Sequence, residues 1–177
     1  MIEVEIKARL REDTLQRIKA LGAVPIGTEH HRDIYFNSPI RDFKASDEAL
    51  RIRVKEEGAR LTYKGPKLDS ETKSRKELTV KIDDSESMMQ ILLSLGFVIS
   101  GEVIKSRTKY TLGDIIFAMD DVSGLGSFLE IEIAGGDDWP EKKRMLQDIM
   151  TELGLDESIR KSYLELLLEC EGGDKGK

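Results

Sequence analysis

The chain begins with a strict alternation of apolar and charged residues, in the stretch MIEVEIKARL. Successive side chains of a β-strand point to opposite faces, so this pattern predicts a strand with one apolar and one charged face. Comparable patterns recur in IGTEHHRDIYFN, ALRIRVKEE, ARLTYKGP, SRKELTVKI, FVISGEVIKSRTKYTL, DIIFAMDDV and SFLEIEIA. The sequence therefore predicts about eight strands, and because most are joined as hairpins we expect an antiparallel or mixed sheet.

Helical patterns follow the first strand, occur near the middle of the chain and recur at its end. Asp13 is a suitable cap for a helix over 14–21. A second helix is predicted in ESMMQILLSLG, and WPEKKRMLQDIMTELG and SIRKSYLELLLEC predict a C-terminal pair. The sequence thus predicts one domain over 1–170 and a disordered tail over 171–177.

The polar faces of the strands carry acids and bases in pairs of the same sign. Alternate residues share one face of a strand, so the two members of each pair point the same way. An open sheet with helices on one side and water on the other would place these charges in solvent. A sheet curled into a barrel would instead line a channel with them, and the repetition of the pairs from strand to strand favours the barrel.

The two kinds of charge suit different ligands. Mg²⁺ and Mn²⁺ prefer oxygen ligands, usually from carboxylates together with water and substrate phosphates. The carboxylates available for this are Glu3, Glu5, Asp120, Glu130 and Glu132. A triphosphate is best held by several Arg and Lys side chains. The bases available are Arg51, Arg53, Lys64, Arg75, Lys105 and Arg107.

Composition excludes several other classes of protein. The net charge of −6 and the lack of a basic tail argue against nucleic-acid binding. The single cysteine, Cys170, excludes an intrachain disulfide and is expected to be packed in its helix. No apolar run approaches membrane-spanning length and no signal peptide precedes the first strand, so we expect a cytoplasmic protein without a membrane partner. His30 and His31 are adjacent and are expected at the surface or in a turn.

The motifs together resemble a known family. EVEIK is similar to the E-x-E-x-K opening of the CYTH family, also called triphosphate tunnel metalloenzymes. Further matches follow in the family's order: RDIYF, ALRIRV, YKGP, SRKELTV, KSRTKY, MDDVSGLGSFLEIEI and SYLELL. The resemblance extends over residues 1–168, nearly the whole chain. Chain length, RDIYF and ALRIRV are most similar to the CyaB-like group, named after the class IV adenylyl cyclases.

The resemblance implies a fold and a set of roles. The fold would be of the α+β class, an eight-stranded antiparallel β-barrel that forms a tunnel, with helices packed outside. Mg²⁺ or Mn²⁺ would be the cofactor, held by Glu3, Glu5, Asp120, Glu130 and Glu132. The triphosphate would be bound by Arg51, Arg53, Lys64, Arg75, Lys105 and Arg107, and by Lys161 from the C-terminal helix. Lys7 would lie close to the reacting phosphate, and Tyr35 matches a tyrosine that activates water, with the lysine, in thiamine triphosphatases.

Three functions remain open at this point. The first is a metal-dependent cyclase that converts ATP to 3′,5′-cAMP and pyrophosphate. The second is a triphosphatase that hydrolyses inorganic tripolyphosphate, thiamine triphosphate or a nucleoside triphosphate. The third is a triphosphate-binding module without enzymatic activity. Apolar outer faces also predict a homodimer, and the loop 66–74 is either a lid over one tunnel mouth or a disordered segment.

Overall fold

The computed structural model describes residues 2–68, 74–155 and 157–173. The strands, in chain order, are β1 (Ile2–Arg9), β2 (Val24–Asn37), β3 (Ala49–Lys55), β4 (Gly58–Lys67), β5 (Arg75–Ile82), β6 (Val98–Leu112), β7 (Ile115–Val122) and β8 (Gly126–Gly135). The helices are α1 (Thr14–Ala20), α2 (Ser85–Ser94), α3 (Trp139–Glu152) and α4 (Tyr163–Gly173).

The eight strands form a closed barrel in the order β1-β5-β4-β3-β2-β6-β7-β8. Every neighbouring pair is antiparallel, as expected for strands joined mainly as hairpins. The barrel closes between β1 and β5, which pair at Ile2 and Glu3. The predicted eight-stranded antiparallel barrel with outer helices is confirmed, and the open-sheet alternative is wrong.

Apolar side chains cover the outside of this barrel, where the helices pack. On β1, Val4 and Ile6 point outward and are buried in a cluster that also contains Leu146 of α3. On the other side of the barrel, Ile52 of β3 is buried in a second cluster with Leu92 of α2. The alternation of each strand therefore directs its apolar residues outward to the helices and its charged residues inward.

The C-terminal region differs in detail from the sequence prediction. Helix α4 begins at Tyr163 and continues to Gly173, past the predicted domain boundary at residue 170. Cys170 is exposed, so the prediction that it is packed is wrong. The rest of the predicted tail, 174–177, and the centre of the predicted lid, 69–73, lie outside the described residues.

Helix α3 offers a direct test of this packing. Leu146 is fully buried against the barrel, whereas its neighbour Met145 is 46% exposed. We expect Leu146→Ala to lower the free energy of unfolding by about 2–5 kcal/mol, because it leaves a cavity in the outer core. Met145→Ala should change it by less than about 0.5 kcal/mol. Urea unfolding followed by circular dichroism measures both, and equal losses would contradict the packing described here.

Candidate active site

The inward faces of the strands enclose a cavity of about 610 Å³. Charged side chains from all strands except β7 line it, together with Ser162 and, from α4, Tyr163, Leu164, Glu165 and Leu168. All six bases predicted from the strands are among the lining residues: Arg51, Arg53, Lys64, Arg75, Lys105 and Arg107. The tunnel predicted from the charge pattern is therefore present in the fold.

Three carboxylates meet at one side of the cavity. Glu5 of β1 lies opposite Glu132 of β8 in the strand register, and Glu3 is one pleat away on β1. Oxygen atoms of these three side chains lie within 4.8 Å of one another. Burial and the charges of Glu3 and Glu5 raise the pKa of Glu132 to about 7, against the opposite effect of Arg107. A cluster of hard oxygen donors whose charges repel one another fits a divalent cation such as Mg²⁺ or Mn²⁺.

The other two predicted metal ligands are engaged differently. Arg107 donates to both oxygens of Asp120, with Nε–Oδ1 and Nη2–Oδ2 distances of 2.6 Å. Lys105 Nζ and the Tyr163 hydroxyl each donate to Asp120 Oδ2 at 2.8 Å. Glu130 also accepts a hydrogen bond from Arg107. The structure thus brings Glu3, Glu5 and Glu132 together, whereas Asp120 and Glu130 accept hydrogen bonds from Arg107, which the register sets opposite Asp120.

Buried charge in this network shifts pKa values. Burial opposes the ionisation of Asp120, but the bonds and charges of Arg107 and Lys105 outweigh it and lower the pKa of this carboxyl group. Burial and the nearby Arg107 lower the pKa of Lys105 to about 8, against the attraction of Glu130 and Asp120. The acids and bases of this network therefore compensate one another's charges, as the members of a buried ionic network must.

Asp33 binds the two arginines of β3, Arg51 and Arg53, and the sequence analysis did not predict this role. Its side chain is almost fully buried and accepts two hydrogen bonds from Arg53, both at 2.7 Å. Arg51 donates to the same carboxylate at 3.4 Å. Burial alone would raise the pKa of Asp33, but the two arginines hold it well below its usual range. Asp33 lies two residues before Tyr35 and therefore on the same strand face, and this spacing could have predicted its inward position.

The two remaining predicted bases, Lys64 and Arg75, also pair with acids. Lys64 of β4 donates to Glu3 at 2.8 Å and contacts Glu77 of β5. Arg75 lies 3.5 Å from Asp47, which follows the β2 strand in the loop before β3. Lys64 therefore links the base cradle directly to the carboxylate cluster.

The two residues predicted to act in catalysis are both on inward faces. Lys7 is fully buried, and its Nζ lies 3.7 Å from Glu130 and 4.0 Å from the centre of the Tyr163 ring. Tyr35 lines the cavity opposite Arg51 in the β2–β3 register, and its hydroxyl interacts with the Arg51 guanidinium group. Tyr163 was not singled out from the sequence, although it lies in the SYLELL motif.

Lys161 does not reach the tunnel. It precedes α4 rather than lying on it, and its ammonium group binds the exposed Glu169 at 2.7 Å. Lys161 is therefore not among the residues that line the cavity, and its role as a phosphate ligand stays a prediction. The sequence predicted a helix from residue 158, whereas α4 begins at Tyr163, whose side chain points inward.

A further ionic cluster surrounds Glu29 of β2, which also lines the cavity. Glu29 accepts hydrogen bonds from Lys109 and from Lys55, the latter at 2.6 Å. His31 Nε2 lies 2.7 Å from the same carboxylate. His31 is 2% exposed, so the prediction of a surface or turn position is wrong for this residue, whereas His30 is exposed. The two histidines lie on opposite faces of β2, and His31 faces inward.

The structure therefore combines a closed antiparallel barrel, a cavity lined by paired bases, and an adjoining cluster of three carboxylates. The CYTH domain family matches residues 1–163, and the chain belongs to this family. None of the helices in the described part of the chain has the length and apolar character needed to span a bilayer.

Named relatives extend over nearly the whole chain. A protein of Methanocaldococcus jannaschii named "putative adenylate cyclase" is 44% identical over 173 residues, which cover 94% of this chain and 98% of that protein. The adenylate cyclase CyaB of Aeromonas hydrophila is 32% identical over 161 residues, 86% of this chain and 81% of that protein. A solved structure from Pyrococcus horikoshii is 40% identical, has a TM-score of 0.89, and covers 95% of this chain and 99% of its own.

The buried His31 predicts a pH dependence of stability. Burial and the positive charge of Arg53 lower its pKa from 6.5 to about 3, against the attraction of Glu29. Between these two values the unfolded chain binds a proton here that the folded chain does not bind. The free energy of unfolding should therefore fall as the pH is lowered through this window, by up to about 1.4 kcal/mol per pH unit, with no such change above it.

Replacing the His31 imidazole separates its contribution to the pH dependence of stability from that of the carboxyl groups. We expect His31→Gln, whose amide can still donate to Glu29, to reduce the slope of stability against pH between about pH 6 and 4. His30→Gln, on the exposed face of the same strand, should keep the wild-type slope. Urea unfolding at several pH values measures it, and an unchanged slope in His31→Gln would contradict a neutral buried imidazole.

Proposed function

We propose that this protein is a metal-dependent enzyme that processes triphosphates inside its tunnel. The observation that supports this is the adjacency of two parts: the Glu3, Glu5 and Glu132 cluster, and the paired bases that begin at Lys64, which binds Glu3 at 2.8 Å. A triphosphate needs several cations, and a divalent ion needs carboxylates beside the phosphates. One cavity supplies both.

The residues of the chain divide into three tasks in this proposal. Glu3, Glu5 and Glu132 would hold Mg²⁺ or Mn²⁺, which when bound would neutralise negative charge on phosphate oxygens. The cradle of arginines and lysines would bind and orient the triphosphate. Asp33 and Asp120 hold Arg53 and Arg107 in place before substrate arrives, so little reorganisation accompanies charge development in the transition state. Lys7 would lie beside the reacting phosphorus.

The favoured reaction is that of a class IV adenylyl cyclase. The ribose 3′-hydroxyl of ATP would attack the α-phosphorus, forming 3′,5′-cAMP and releasing pyrophosphate. The names of the two relatives support this choice, since both are called adenylate cyclases and one of them is 44% identical to this chain. Apolar side chains, among them Phe43 and Leu168, also line the cavity and could contact an organic group of the substrate.

Hydrolysis of a terminal phosphate is the second candidate, and Tyr35 supports it. Its hydroxyl lies in the cavity beside the Arg51 guanidinium group, so it could orient a water molecule against a bound phosphate. Inorganic tripolyphosphate, thiamine triphosphate and nucleoside triphosphates are the substrates to compare. The same carboxylates and bases would serve this reaction, and only the attacking group and the phosphorus attacked would differ.

A homodimer and a cytoplasmic location remain predictions. Exposed apolar side chains support the dimer: Leu78 and Val80 on β5 are 54% and 57% exposed, and Ile91 on α2 is 52% exposed. Sedimentation equilibrium would measure the association directly, and a monomer at micromolar concentration would contradict it.

Product analysis separates the two reactions. The protein is incubated with Mg²⁺ or Mn²⁺ and, separately, ATP, tripolyphosphate and thiamine triphosphate, and products are resolved by ion-exchange chromatography. We expect cAMP and pyrophosphate in equal amounts from ATP. Orthophosphate without cAMP would contradict the cyclase assignment and indicate a triphosphatase. No product from any substrate would overturn both and leave a binding module.

The carboxylate cluster makes a second, independent prediction. Glu132→Gln removes one charged ligand, so we expect Mn²⁺ affinity to fall by about tenfold or more and turnover to be lost. The metal-free variant should be at least as stable as the wild type, because repulsion among the three carboxylates is relieved. Mn²⁺ binding is measured by calorimetry and stability by urea unfolding.

Glu57→Gln is the matched control for this experiment. Glu57 lines the cavity but its side chain is 61% exposed, and it pairs with Lys55 at 3.4 Å rather than with the cluster. This variant should keep the wild-type affinity for Mn²⁺. The same affinity in Glu132→Gln and wild type would remove the metal assignment.

A further inference from the structure

We propose that Tyr163, at the start of α4, is a positioning residue that holds the Lys7 ammonium group on the inward side of β1, next to Glu130, and thereby supports the chemical step. The proposal rests on the proposed function, in which Lys7 lies beside the reacting phosphorus. Tyr163 is 5% exposed and lines the cavity, although it comes from a helix outside the barrel.

The face of the Tyr163 ring attracts two lysines. The Nζ atom of Lys7 lies 4.0 Å from the ring centre, and that of Lys105 lies 4.9 Å from it. Attraction between a cation and an aromatic face is strongest where water is excluded, and Lys7 is fully buried. A buried ammonium group is costly unless its charge is compensated, so the ring contributes directly to keeping Lys7 in this place.

The Glu130 carboxylate also lies close to the Lys7 ammonium group. Glu130 Oε1 lies 3.7 Å from Lys7 Nζ, while the other oxygen of this carboxylate accepts a hydrogen bond from Arg107. The attraction to a ring face depends less on N–H direction than a hydrogen bond to a carboxylate does. The ammonium group can therefore turn toward an incoming phosphate while the ring still holds it.

Two contacts hold the Tyr163 side chain in place, and a backbone hydrogen bond holds the segment that precedes it. Its hydroxyl donates to Asp120 Oδ2 at 2.8 Å. Its ring packs against Phe128 with centroids 5.1 Å apart and an interplanar angle of 59°, a tilted arrangement that aromatic pairs favour. The backbone N–H of Ile159, just before the helix, donates to the Lys7 carbonyl at 2.7 Å. The entry to α4 thus contacts Lys7 through both its backbone and its side chain.

Kinetics of two substitutions test the ring separately from the hydroxyl. Tyr163→Leu removes the ring, and Tyr163→Phe keeps it but removes the bond to Asp120. With the best triphosphate substrate, we expect Tyr163→Leu to lower kcat by about tenfold or more. KM should change by less than about threefold, because the other bases still bind the triphosphate. Tyr163→Phe should stay within about threefold of wild-type kcat.

Tyr110→Leu is the matched control. Tyr110 is 9% exposed in the outer core of the barrel, and Lys19 lies 6.0 Å from its ring centre, so the substitution removes a comparable buried aromatic residue away from the tunnel. This variant should keep kcat within about twofold of wild type if it is folded. Wild-type kcat in Tyr163→Leu, a loss confined to KM, or an equal loss in Tyr163→Phe would each overturn the proposal.

A second measurement does not depend on turnover. In protein labelled with ¹³C at the lysine ε-carbon, the ring current of Tyr163 should shift the Lys7 ε-protons upfield, with the signal assigned by its loss in Lys7→Arg. The shift should persist in Tyr163→Phe and disappear in Tyr163→Leu. If the wild type turns over no triphosphate, the proposed function fails, and this measurement still decides whether Tyr163 positions Lys7. An unshifted Lys7 signal in the wild type would overturn the positioning role.

Discussion

The constraint on which this structure depends is the neutralisation of charge inside a closed barrel. Lys7, Lys105, Asp33 and Asp120 are nearly inaccessible to solvent, and a buried charge is costly unless it is paired and hydrogen-bonded. Each forms close interactions with groups of opposite charge or with an aromatic face. The barrel therefore has its polar face inside and its apolar face outside, and helices α1, α2 and α3 must cover that apolar face for the fold to be stable.

This arrangement also prepares the tunnel for an anionic ligand. Arg53 is fixed by both oxygens of Asp33, and Arg107 by both oxygens of Asp120. A guanidinium group held in this way keeps its orientation when a phosphate arrives, because its planar fork is already aligned. Around the Glu3, Glu5 and Glu132 cluster three acids lie together, with Lys64 paired to Glu3 and Arg107 Nη1 3.7 Å from Glu132 Oε2. In the proposed function a divalent cation would offset the remaining repulsion among these carboxylates.

The C-terminal helix completes the interior rather than only covering the outside. An apolar cluster of Val103, Val122, Phe128 and Tyr163 lies where the start of α4 meets the barrel. Tyr163 contributes both to this cluster and to the ionic network through its hydroxyl bond to Asp120. The helix is thereby connected to the buried charges, so its position and the position of the lysines depend on each other.

The sequence by itself determined the strands, the face on which each charged residue lies, and six bases that line the tunnel. Those conclusions follow from a period of two, which is a local property of the chain. The alternation could not determine the register between strands, and the register decided which acids meet. It sets Glu5 opposite Glu132 and Asp120 opposite Arg107, so only part of the predicted carboxylate set is clustered. The face of His31 follows from the same period of two as that of Asp33. The inward position of Tyr163 and the pairing of Lys161 with Glu169 depended on tertiary packing, because the start of α4 is fixed by contacts with the barrel that a local pattern does not contain.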